Sequence, residues 1–267
     1  MKKLIFCGII AVLTLFVFSC SHSGNTIPRK TYVLVHGAWQ GAWVWQSVKT
    51  QLEKNGQNVI TVELPAHGDD TTSPLNTSID IYRDLVITAI GKSAAPVILV
   101  GHSMGGMVVS AVAEKIPAQI EKLVYVGAFL PANGQSLLDL AGTDAQSLLG
   151  ASLRPADGGL TLDIVHDSIV KIFCQDGSPT TQQLLLTKFR KEPAIPFQDK
   201  VTLTTTAFGK VRKYYVKTLQ DHAVGPDLQD RMIKAASITN VRTIQSGHSP
   251  FLSAPGTLTA LLLDVLN

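Results

Sequence analysis

The pentapeptide Gly101-His102-Ser103-Met104-Gly105 follows the apolar run Val97-Ile98-Leu99-Val100 and precedes a stretch of small residues at helical period. The G-x-S-x-G pattern therefore sits in a strand-turn-helix context. A chain that turns that sharply lifts the residue at the turn clear of the sheet, and glycines at both flanks remove side chains that would collide with strand and helix. Ser103 is thus the candidate nucleophile. A serine that merely caps the following helix is the plainer alternative, and the preceding strand weighs against it.

Around this turn, apolar runs alternate with helix-like periods. Strands are predicted near Thr31 to Val35, Asn58 to Val62, Val97 to Val100, Lys122 to Val126, Val211 to Lys217 and Val241 to Gln245. Helices are predicted near Trp43 to Asn55, Ser78 to Ser93, Met104 to Lys115, Asp227 to Ala236 and Pro255 to Leu266. In the second helix Ile79, Tyr82, Val86 and Ala89-Ile90 recur at helical spacing, and Thr77 with Asp80 forms a candidate capping box. The alternation implies an α/β fold: a mainly parallel six-stranded sheet with helices on both faces. It breaks once, over residues 131–206, a stretch too long for a loop. That stretch leaves and re-enters at the carboxyl ends of strands, where such sheets hold ligands. It is expected to be an inserted cap on a core formed by residues 30–130 and 207–267.

The amino terminus differs from the rest. Lys2-Lys3 precede an apolar stretch from Leu4 to Phe18, which reads as an export signal over residues 1–20. About fifteen apolar residues fall short of the roughly twenty that span a bilayer. Val17-Phe18-Ser19-Cys20 resembles a bacterial lipobox, in which the cysteine becomes the lipidated first residue. The expectation is an exported cell-envelope protein held at a membrane through Cys20, followed by a linker over residues 21–29. An ordinary signal cut nearby, leaving a periplasmic or secreted protein, is the alternative.

Composition narrows the classes. The 267 residues are 45% hydrophobic and 16% charged, enough for one domain with a substantial core. The net charge of +3 comes without a basic block or arginines interleaved with aromatics, so no nucleic-acid partner is expected. Cys174 stands alone in the mature region, which leaves no disulfide framework and reads as a small buried apolar residue. The histidines show no metal-ligand spacing, and no metal or other cofactor is expected.

A neutral serine hydroxyl needs a base to take its proton and an acid to orient the base. In this architecture the chain order is serine, acid, histidine. His22, His36, His67 and His102 precede or abut Ser103; His166 lies in the insertion. His248, in Ser246-Gly247-His248-Ser249-Pro250 after the last strand, is the best placed base. Asp221 occupies the loop after the preceding strand; its neighbour His222 shares that turn and points elsewhere. Asp199 lies too early, and Asp227 suits a helix amino terminus. Two backbone N–H groups must hold the developing oxyanion: Met104 supplies one from the elbow, and Ala38, in His36-Gly37-Ala38-Trp39 after the first strand, the other. His36 is read as a brace for that loop. Of Trp39, Trp43 and Trp45, at least two are expected in the core.

The stretches Val35-His36-Gly37-Ala38-Trp39, Glu63-Leu64-Pro65-Ala66-His67-Gly68-Asp69-Asp70, Val100-Gly101-His102-Ser103-Met104-Gly105-Gly106-Met107 and Gln220-Asp221 resemble the α/β-hydrolase superfamily, and the likeness runs from about Lys30 to the end. The resemblance is to the branch of plant methylesterases, bacterial esterases and hydroxynitrile lyases. It implies a cofactor-free triad of Ser103, Asp221 and His248, oxyanion amides at Ala38 and Met104, and a small apolar cavity beneath the cap, with His67 and Gly68 in a structural turn. Lyases of that branch carry a threonine in place of Gly37 and a lysine after the catalytic histidine, where this chain has Ser249. The expected function is therefore a serine carboxylesterase with a small, largely apolar ester as its partner. A carbon-carbon lyase on the same fold and a non-catalytic binder of hydrophobic ligands are the alternatives.

Overall fold

Alternate residues of the central strands belong to two separate apolar layers, because successive side chains on a strand point to opposite faces. The computed structural model describes residues 29–266; the expected signal, Cys20 and the linker up to residue 28 lie outside them. Six strands form one sheet, each pair of neighbours parallel: β1 (Thr31–Val35), β2 (Asn58–Val62), β3 (Val97–His102), β4 (Ile120–Val126), β8 (Lys213–Thr218) and β9 (Asn240–Ile244). Tyr32, Leu34, Ile98, Val100, Val124, Val126 and Val216 pack on one face with the helices Gln46–Lys54 and Pro255–Asp264. Val33, Val35, Leu99, Leu123, Tyr125 and Tyr215 pack on the other with Ile79–Ile90, Gly105–Lys115 and Pro226–Ala235. Central strands buried on both faces read as continuous apolar runs, which is why the sequence locates them.

The strand order is β2-β1-β3-β4-β8-β9. The chain moves outward from β1 to β2, then crosses back to β3 on the other side of β1. The loops after β1 and β3 therefore leave the sheet side by side in opposite directions, which opens the crevice where α/β sheets bind ligands. Between β4 and β8 the chain builds a second, antiparallel sheet, β5 (Leu153–Ala156), β6 (Thr161–Ile164) and β7 (Glu192–Pro193) in that order, with helices His166–Phe173 and Pro179–Lys188. Among the described residues no helix is long and apolar enough to cross a membrane.

Local boundaries differ from the sequence reading where tertiary pairing intervenes. β3 runs on through Gly101 and His102 because these pair with Tyr125 and Val126 of β4. β8 starts at Lys213, since a 3-10 turn at Phe208–Lys210 precedes it. The first expected helix opens as a 3-10 turn, Ala42–Trp45, before becoming α-helical. The second is capped by Ser78, whose side chain accepts from the Ile81 N–H, and not by a Thr77–Asp80 box. Thr77 instead donates its hydroxyl to the Pro74 carbonyl.

Candidate active site

Ser103 sits at the turn between β3 and the helix Gly105–Lys115 with φ +53°, a left-handed conformation that side chains other than glycine adopt at a cost of about 1–3 kcal/mol. Close packing holds it there. A methyl group on Gly101 would stand 2.7 Å from the Gly105 carbonyl oxygen, and one on Gly105 would stand 2.7 Å from that of His36. Strand, helix and the loop after β1 can approach this closely only because both flanking positions lack a side chain.

Asp221 and His248 come from the loops after β8 and β9, and both are buried. The His248 Nδ1–H points at the Asp221 carboxylate, 2.9 Å from Oδ2 and 3.0 Å from Oδ1. The carboxylate is held from the opposite side: Oδ1 accepts the N–H groups of Ala223 at 2.8 Å and Val224 at 2.9 Å, and Oδ2 accepts the Thr218 hydroxyl at 2.6 Å. Gln229, fully buried on the helix Pro226–Ala235, clamps Thr218 through both its backbone N–H and its hydroxyl. With Nδ1 committed, the free lone pair of His248 is on Nε2, which makes no hydrogen bond within the described protein.

His102 joins this pair to the elbow at Ser103. Its Nε2–H donates to the His248 carbonyl at 2.8 Å, and the rings lie 4.5 Å apart. Burial, and then the neighbouring His248, drive its pKa well below the ordinary histidine value, so it is a neutral brace. Ser103 directly follows the residue that makes this contact, and its hydroxyl makes no hydrogen bond among the described residues; such bonds commonly tighten only when substrate binds.

The loop after β1 lies against the elbow. A methyl group on Gly37 would stand 2.6 Å from Ser103 Cβ. The amides of Ala38 and Met104 thus follow directly on two touching residues, and among the described residues neither donates a hydrogen bond to another protein group. His36 braces this loop: its Nδ1–H donates to the Gly37 carbonyl at 2.8 Å, and its Nε2 accepts the Leu64 N–H at 3.1 Å. Burial lowers its pKa despite Glu63 nearby, as a ring with a lone pair facing an N–H requires. Gln40, at the end of the loop, donates to Ser249 Oγ at 3.1 Å. The residue after His248 is therefore a buried hydroxyl committed to the β1 loop.

The remaining candidates fall elsewhere. His222 donates its Nδ1–H to the Lys171 carbonyl at 2.8 Å, and His166 is exposed. Asp199 accepts the Ile79 N–H at the start of a helix. Trp39 and Trp45 are buried and Trp43 half-buried. Cys174 is buried, and burial followed by the Asp176 carboxylate pushes its thiol up to about 12. Among the described residues no group of three or more His, Cys, Asp or Glu side chains is placed to hold a metal ion.

Sequence reasoning did not find Thr218, Gln229 or Glu192. The first two carry no motif of their own. Glu192, fully buried on β7, accepts from His67 Nε2 and from the Trp39 N–H, each at 2.7 Å. Its partners lie 125 and 153 residues away in sequence, so no local pattern could announce it.

The parallel sheet, the elbow at β3 and the acid and histidine on the last two strand ends define the architecture of an α/β hydrolase. The Alpha/beta hydrolase family matches the chain over residues 32–261, and the chain belongs to that family. It is 31% identical over 255 residues to Methyl jasmonate esterase 1 of Vitis vinifera, covering 89% of this chain and 97% of that one. Methylesterase 7 of Arabidopsis thaliana is 30% identical over 254 residues, with 89% and 96% covered. Two chloroplastic relatives from Arabidopsis thaliana are longer; the chain spans 56% and 72% of their lengths at 34% and 31% identity. Among solved structures, an extracellular α/β-hydrolase from a Paenibacillus species, described as sharing structural and functional homology with tobacco salicylic acid binding protein 2, superposes with a TM-score of 0.77. It is 27% identical, with 89% of this chain and 98% of that one covered. The chain is a methylesterase-like α/β hydrolase.

Proposed function

We propose that this protein is a serine carboxylesterase acting on small, largely apolar esters. The observation that carries the reading is the asymmetry of His248: Nδ1 is held by Asp221 at 2.9 Å, whereas Nε2 has no partner among the described residues and is free to take a proton. Ser103 Oγ attacks the ester carbonyl as Nε2 accepts its proton. Asp221 fixes the tautomer and steadies the imidazolium. The amides of Ala38 and Met104 receive the carbonyl oxygen as it becomes negative. His248 returns the proton to the departing alcohol, and water then repeats the attack on the acyl enzyme, releasing acid and restoring Ser103.

Phe173 lies 5.8 Å from the His248 ring and 5.5 Å from Trp39, which gives the site an aromatic wall suited to an apolar acyl group. Ser249, bonded to Gln40, supplies no cation to hold a departing cyanide, and this favours ester hydrolysis over lyase chemistry. Hydrolysis of a short-chain aryl ester by the signal-free domain, beside its Ser103→Ala variant, tests the reading. Activity should fall by about 10⁴-fold or more, because the triad acts as a unit. Equal rates in both proteins would remove Ser103 from the chemistry. We also propose export and attachment through Cys20, on the strength of the amino-terminal sequence; the mass of the mature amino terminus decides between a lipidated cysteine and a simple cut.

A further inference from the structure

We propose that Glu192 is a positioning residue for the oxyanion loop, a buried latch by which the insertion holds Ala38 and Trp39 in their working conformation. The proposal deepens the esterase reading and rests on it.

Trp39 has φ +59°, so the chain turns left-handed one residue after the amide assigned to the oxyanion. A non-glycine residue holds that conformation only when its surroundings overdetermine it. Three contacts do so, and all three come from the insertion. Glu192 Oε2 accepts the Trp39 N–H at 2.7 Å, the Arg190 N–H donates to the Trp39 carbonyl at 3.1 Å, and the indole N–H donates to the Leu162 carbonyl at 2.9 Å. Both backbone polar groups of Trp39 are thereby engaged by the strip of chain around β7. By occupying the Trp39 N–H, Glu192 also keeps that amide from competing with the Ala38 N–H for a substrate oxygen.

The latch is anchored on the core side by His67. Its Nδ1 faces the Pro65 carbonyl at 3.0 Å and must carry a proton, and its Nε2 faces Glu192 Oε2 at 2.7 Å. Burial disfavours a charged imidazole, but Glu192 overrides it through charge and hydrogen bonding, so His67 keeps its proton above the ordinary range. The Arg190 guanidinium ties the same strip to the His67 turn, donating to the Gly68 and Asp70 carbonyls at 2.7 Å each. One carboxylate oxygen thus serves two donors, one on each of two core loops. A glutamine cannot copy this: its amide oxygen can accept from Trp39 but brings no charge to hold the His67 proton.

The experiment compares wild type, Glu192→Gln and Glu192→Asp in three measurements. These are kcat and KM on one ester, affinity for a trifluoromethyl ketone against that for the product acid, and hydrogen exchange over residues 36–45. A displaced donor should cost somewhat less than the about 10²–10³ of a deleted one. The expected result is a kcat lowered about tenfold to a hundredfold with KM within about twofold. Ketone affinity should fall in parallel, product affinity should hold, and exchange at the Trp39 amide should quicken. Folded variants with wild-type kcat and exchange overturn the proposal. So does a loss of activity that only tracks the unfolded fraction, or failure of both variants to fold, which would make Glu192 a folding determinant. Should the wild type hydrolyse no ester, the esterase reading fails by itself, and exchange at Trp39 still decides whether Glu192 holds the loop.

Discussion

Two buried histidine–carboxylate pairs stand among the described residues, and they are built for opposite ends. His248 meets Asp221 at 2.9 Å and His67 meets Glu192 at 2.7 Å. In the first pair the carboxylate is held by donors from its own loop and from the end of β8, and the imidazole has one nitrogen left over. In the second the imidazole is used at both nitrogens, while Glu192 Oε1 has no partner within the protein. A general base needs a lone pair it can commit to a reaction; His248 has one and His67 does not. A histidine beside an acid is therefore not a catalytic dyad on that ground. The second ring nitrogen decides between His248 and His36 or His67; His102 also keeps an unpartnered Nδ1 and is set apart by pairing with a carbonyl and not a carboxylate.

The sharpest way to break this contrast is Asp221→Asn. The amide would favour the wrong His248 tautomer with little change of shape, and kcat is expected to fall about 10⁴-fold with the fold intact. A loss under tenfold, measured on the same ester, would mean that Asp221 does not orient the base. Thr218→Val is smaller and more discriminating. It keeps the volume but removes the hydroxyl that holds Asp221 Oδ2 at 2.6 Å. A hydrogen bond to a charged group is worth about 1.5–3 kcal/mol, so kcat/KM should fall roughly tenfold to a hundredfold. Unchanged kinetics would show that the backbone amides of Ala223 and Val224 suffice to fix the carboxylate.

The same contrast explains how much could be read from the chain. The central strands β1, β3 and β4 were legible because burial on both faces writes itself as apolar runs, and the β3 elbow because glycine is the only residue its packing admits. Chain order picked out Asp221 and His248 before geometry joined them. The Glu192 pair was not legible: β7 is two residues long, without periodicity, and its meaning comes from loops far away in sequence. The helix cap shows the same limit at short range. Thr77 and Ser78 both carry hydroxyls, and the choice between them is made by the preceding turn, which engages Thr77 through Pro74. Asp199 gave no local sign that it would reach the Ile79 N–H, 120 residues earlier.

The pairs should also part company on a pH axis. His102, facing His248 and His36, is held neutral by burial, and His36, facing Glu63 and His67, is shifted down as well. Above about pH 6.5 folded and unfolded chains both carry these rings neutral, whereas below it the unfolded chain takes up protons that the folded one refuses. Stability must therefore fall on acidification, by up to about 1.4 kcal/mol per pH unit for each ring. His67, facing Glu192, Glu63, His36 and Tyr82, is shifted up. Its contribution is complete below the unfolded value near 6.5 and is lost as pH rises through its folded value. Urea unfolding from pH 5 to 9 should then show His102→Gln flattening the acid limb and His67→Gln the alkaline one. An acid limb unchanged in His102→Gln would assign those protons to another group, and an alkaline limb unchanged in His67→Gln would mean that Glu192 holds a neutral ring.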